Sequence, residues 1–101
     1  GGISKVMKNA APLSRQVRLE KLLREAFPVA AFQLFDDSRE HAGHAHGQSG
    51  ETHYRLRIVD DSFRGEPRVQ SERRIFKAIK PEFDAGLHSF VIEEITSRPL
   101  Q

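Results

Sequence analysis

Thr52-His-Tyr-Arg-Leu-Arg-Ile-Val59 is the stretch on which the fold turns. Tyr54, Leu56 and Ile58 share one parity, and His53, Arg55 and Arg57 share the other. Alternation at period two, with aromatic and β-branched residues on one side, predicts a strand with one face buried and one in water. Immediately upstream, Asp36 to Gly50 holds Gly43, Gly47, Gly50, Ser38 and Ser49, which is loop chemistry. Before that loop, Val29 to Phe35 is a short apolar run suited to a strand. The two strands are expected to pair as an antiparallel hairpin.

Further out, the period changes. Ser14 is a candidate N-cap for a helix of thirteen residues in which Leu19, Leu22, Leu23, Ala26 and Phe27 recur at helical spacing. Arg15, Arg18, Lys21 and Arg24 occupy its other side, and Pro28 stops it. Downstream, Asp60 to Pro67 is a turn. Val69 to Ile79 predicts a second helix whose buried side is Val69, Ile75, Phe76 and Ile79. Pro81 should end or kink it near Ile79, although Phe83 carries the apolar face one turn further. Leu87 to Ile95 is the last strand.

The order α-β-β-α-β, with one stripe to bury on each helix, predicts an α+β two-layer sandwich: a three-stranded mixed sheet with both helices on one face. Arg55 and Arg57 would cover the solvated face. Residues 1–13 are expected to be a disordered N-terminal segment, with Gly1 to Val6 read as an expression remnant ahead of Met7. Residues 14–97 form the domain and 98–101 a tail.

With 101 residues the chain has room for one core. Lys and Arg number 16 against 14 Asp and Glu, so the small positive excess does not by itself point to nucleic acid. No apolar run reaches membrane-spanning length, and Gly1 to Asn9 lacks the apolar stretch of a secretory signal. A cytoplasmic location is the expectation. Cysteine is absent, which removes disulfides, a thiol nucleophile and thiolate ligands from this chain.

Histidine is concentrated instead: His41, His44 and His46 fall together in the glycine-rich loop. Their spacing suits adventitious capture of a divalent ion better than structural zinc, which wants four closed ligands and usually cysteine. His53 has the solvent-facing parity of its strand and reads as structural; His88, on the residues alone, reads as a strand histidine satisfied by backbone hydrogen bonds rather than as a ligand. Gly47-Gln48-Ser49-Gly50 spells a phosphate-clamping motif, but between strands rather than helices, where it carries no weight. Nothing resembles a nucleophile elbow or a Walker loop, so catalysis is not expected. From Arg64 to Lys80 six basic residues face two glutamates. Within that stretch Arg68, Arg73, Arg74, Lys77 and Lys80 are candidates for nucleic-acid or partner binding.

Five blocks, in order, resemble the BolA family. They are Arg18-Leu-Glu-Lys-Leu-Leu, Asp36-Asp-Ser-Arg-Glu-His41-Ala-Gly-His44, Glu51-Thr-His-Tyr-Arg-Leu-Arg-Ile-Val, Phe63-Arg-Gly65 and Gly86-Leu-His88-Ser-Phe. The resemblance runs from about Arg15 to Ile95. It implies a fold close to a type II KH domain and a non-enzymatic adaptor that partners a monothiol glutaredoxin with glutathione. The pair would share a [2Fe–2S] cluster, with none bound by the isolated chain, in iron sensing or cluster delivery. It further implies His88 as one metal ligand and His41, in a histidine-type member, as the second, with His44 as an alternate. Some members are DNA-binding regulators, so DNA through the second helix is the rival reading, and a stress-linked protein scaffold a third. No membrane partner is implied, and the chain alone would be a monomer or weak homodimer. Where the family has Arg-His-Arg on the second helix, this chain has Ser71, Glu72 and Arg73.

Overall fold

The structure is a computed structural model that describes residues 13–37 and 52–98. The terminal segments lie almost wholly outside that range, and His41, His44 and His46 lie outside it entirely. Helix α1 spans Arg15–Ala26, β1 Ala31–Asp36, β2 His53–Val59, α2 Arg68–Asp84 and β3 Ser89–Thr96, with a 3-10 turn at Asp61–Phe63. β1 pairs antiparallel with the central β2, and β2 pairs parallel with β3. The expected mixed sheet and element order are both found. Among the described residues no helix is long and apolar enough to cross a membrane.

The alternation of β2 sorts as the sequence reading required. Tyr54, Leu56 and Ile58 are buried, and they meet Leu19 and Leu23 of α1, Phe27 at its C-cap, Ile75 and Ile79 of α2, and Phe90 and Ile92 of β3 in one core. On the opposite face Arg55 bonds Asp37 at 3.1 Å and Glu93 at 2.7 Å, and Arg57 bonds Glu94 at 2.5 Å. Register shifts between β2 and β3 after Leu56, where Glu93 is the extra residue. That bulge puts both glutamates within reach of the two arginines.

Ser14 caps α1 by accepting the Val17 amide on Oγ at 3.2 Å. The chain turns at Pro28 and Val29, where Ala30 N–H donates to Phe27 O at 3.1 Å. β1 therefore starts two residues later than the apolar run suggests. Asp60 caps the 3-10 turn through the Ser62 amide.

Helix α2 corrects two expectations. It runs through Pro81 to Asp84, because the turn beyond the proline is held from outside. Glu82, 5% exposed, takes Arg15 Nε at 3.0 Å and Arg18 Nε and Nη2 at 2.8 and 2.9 Å. Three charged hydrogen bonds from α1 thus tie down the last turn, next to the proline that lacks an N–H. Both guanidinium groups turn onto Glu82, Arg15 largely buried and Arg18 still partly in water. The buried stripe also differs: Ser71, Ile75, Ile79 and Glu82 point in, whereas Val69 is 56% and Phe76 37% exposed. Ser71 is accommodated by donating to Glu66 Oε1 at 2.6 Å.

Candidate functional site

The C-terminus of α2 sets the position of His88. Gly86 adopts φ 114°, Gly86 N–H donates to Phe83 O at 3.2 Å, and Leu87 N–H to Glu82 O at 2.9 Å. This is the paired closure in which a glycine just past the helix reverses the chain. Leu87 then drops into the core. The next two amides, of His88 and Ser89, both donate to the Thr52 carbonyl at 3.0 Å. Two successive amides on one carbonyl break the regular ladder just before β3 begins. They fix the His88 backbone beside the start of β2 while its side chain stays exposed.

At that start sits His53, half-buried, whose carbonyl accepts the Asp37 amide at 2.8 Å. Its Nδ1 shares a hydrogen bond with Thr52 Oγ1 at 2.8 Å. The His53 and His88 ring centres are 6.0 Å apart, edge to face at 88°. His53, set aside as structural on parity, is thus the ring neighbour of His88. Each parallel strand begins at or beside a histidine, which was the available signal, but only their register makes the two adjacent. His41 and His44 lie outside the described residues. Within those residues no group of three His, Cys, Asp or Glu side chains converges as a metal site. The nearby Asp37 carboxylate is committed to Arg55, which also lies over the Phe35 ring at 4.3 Å.

The five basic candidates on α2 divide. Arg68 bonds Glu72 at 2.8 Å and the Ile92 carbonyl at 2.7 Å. Arg74 bonds Glu66 at 2.7 Å and Ser62 Oγ at 3.0 Å, and covers the Phe27 and Phe63 rings, each at 5.2 Å. Lys80 pairs with Asp84 at 3.0 Å. Arg73 and Lys77 make no ion pair among the described residues; they flank the exposed Val69 and Phe76. The Ser71 hydroxyl, with help from Arg74, holds the Glu66 carboxyl below its ordinary range against the opposing effect of desolvation.

The sequence model described as BolA-like protein matches residues 23–98. A curated relative from Sinorhizobium, an uncharacterized protein in the cobS 5′ region, is 43% identical over 77 residues, covering 74% of this chain and 83% of the relative. The solved BolA domain of SufE1 from Arabidopsis thaliana superposes with a TM-score of 0.70 at 36% identity, covering 85% of this chain and 95% of that one. BolA1 from the same plant gives 0.73 at 31% identity, with the same coverage.

Proposed function

The chain belongs to the BolA-like protein family, and on that premise we propose that it is a non-enzymatic adaptor. It docks on a monothiol glutaredoxin and co-ligates the [2Fe–2S] cluster that the glutaredoxin holds with glutathione. The observation that supports this reading is His88: an exposed imidazole just before β3, where its own amide and that of Ser89 both bond the Thr52 carbonyl. A ligand so placed loses little freedom on binding iron. The donor set fits a shared cluster and not a private one, since this chain brings no thiolate and the partner would supply the sulfur. His41 is the second ligand of this reading and His44 its alternate, both from the loop between β1 and β2. An imidazole on one iron raises the cluster's potential and makes it responsive to protonation. Arg73 and Lys77 would assist docking; Arg68, Arg74 and Lys80 already have partners within the domain.

The test is visible circular dichroism of cluster-loaded monothiol glutaredoxin before and after addition of this chain. The expected result is a changed spectrum that His88→Ala abolishes while the two proteins still associate. An unchanged spectrum on complex formation, or a change that survives His88→Ala, would overturn the reading.

A further inference from the structure

Beyond that shared cluster, we propose that His53 and His88 form a two-nitrogen site for one divalent transition-metal ion of the zinc class in the chain free of any partner. Two imidazoles on one tetrahedral ion, at metal–nitrogen distances of about 2.0–2.1 Å, have ring centres roughly 5 Å apart. The observed separation is 6.0 Å, edge to face, so the rings must swing about 1 Å closer and turn a nitrogen each toward one ion. His88 is exposed and can make that swing by side-chain rotation alone. His53 is fixed in β2 with its carbonyl on Asp37, and His88 is tied to Thr52.

Thr52 also supplies the outer support such sites use. Its hydroxyl lies 2.8 Å from His53 Nδ1; in the tautomer whose Nδ1–H donates to that oxygen, Nε2 carries the lone pair that a metal needs. The competing donors are occupied, since Asp37 and Glu93 both pair with Arg55. Two neutral imidazoles without thiolate or carboxylate favour zinc, nickel or copper over magnesium or calcium, with water completing the shell. The site would also withhold the His88 nitrogen from iron while filled, whether or not a glutaredoxin binds this chain.

The experiment uses the full chain carrying His41→Asn, His44→Asn and His46→Asn, without glutaredoxin. It is titrated with Zn²⁺ and followed by long-range ¹H–¹⁵N spectra of the imidazoles. The expected result is that both remaining rings shift with one midpoint at one ion per chain. His88→Gln should then move the His53 midpoint to at least about tenfold higher zinc, the lower end of what losing even an outer supporting group costs at a metal site. The amide spectrum of the same sample reports folding. Separate midpoints for the two rings, or a His53 midpoint unmoved by His88→Gln, would overturn the proposal. Because the first measurement needs no variant of either ligand and no partner, its failure is distinct from failure of the cluster reading.

Discussion

Replacing Glu82 with Gln keeps the shape of the side chain and removes its charge from between two guanidinium groups. In the native domain that carboxylate receives three hydrogen bonds, at 3.0, 2.8 and 2.9 Å. Its side chain is 6% exposed, against 12% for Arg15 and 36% for Arg18. Breaking a fully buried ion pair by removing one partner costs about 3–5 kcal/mol. Two features lower that figure here. Arg18 is screened by solvent, and both arginines keep a carbonyl acceptor, Arg15 on Ala85 at 2.9 Å and Arg18 on Leu13 at 2.5 Å. The expected loss is therefore about 2–3 kcal/mol, or a fall in melting temperature of roughly 10–20 °C for a domain of this size.

The pH dependence gives an independent check. The Arg18 hydrogen bonds, outweighing desolvation and joined by the charges of Arg18 and Arg15, hold the Glu82 carboxyl below its ordinary range. A carboxyl depressed on folding contributes its full stability above the unfolded value, about 4.3 for Glu. That contribution is lost as pH falls through the folded value. Urea unfolding of native and Glu82→Gln proteins should thus show their widest gap at neutral pH and a narrowing gap in acid. A neutral-pH difference under about 1 kcal/mol, or a gap that stays constant into acid, would refute the claim that this clasp holds α1 to the end of α2.

Four further outcomes rest on other parts of the structure. Gly86→Ala should cost about 1–2 kcal/mol in urea unfolding from backbone strain at φ 114°, since the added Cβ would meet only Arg15 Nη2 at an ordinary 3.5 Å; Gly65→Asn, at φ 73° with open space around it, should be nearly neutral. Arg74→Ala should lower stability by about 1–2 kcal/mol through its lost cover of Phe27 and Phe63 and its Glu66 pair, and should leave partner affinity unchanged in a titration. Duplex DNA binding, measured by fluorescence anisotropy, should show a slope of log K against log salt no steeper than about −2, because only Arg73 and Lys77 on α2 lack an ion pair among the described residues; a steep slope removed by Arg73→Ala/Lys77→Ala would instead favour a nucleic-acid role.

What the sequence shows and what it hides divide along physical lines. Period-two alternation over residues 52–59 and the leucine stripe of α1 are local signals backed by burial, and the sheet, its pairing and the two-layer order follow from them. Helix α2 defeats the same method because part of its inward face is polar. Pattern counting has no reason to bury Ser71 or Glu82, and their partners, Glu66 at one end and Arg15 and Arg18 on another helix, are set by tertiary structure. Val69 and Phe76 are pushed to the surface as a consequence. The pairing of His53 with His88 is hidden for another reason. It depends on the parallel register of β2 and β3 across an intervening helix, which no local window contains.

These hidden contacts are mechanically one unit. The Glu82 side chain anchors α1, while its carbonyl accepts the Leu87 amide. Leu87 is buried, and the next amide, that of His88, is bound to Thr52, whose own hydroxyl touches the His53 ring. An exposed imidazole on a free loop would have to surrender backbone and side-chain mobility each time it met a metal; here the backbone is already held on folding and only side-chain rotation is left to lose. The stability of the α1–α2 clasp and the placement of His88 are therefore coupled through a few backbone bonds. A substitution that loosens the clasp should disturb the histidine site before it disturbs the sheet, since β2 is held by two strands while the turn at Ala85–Leu87 is held chiefly by the helix that precedes it.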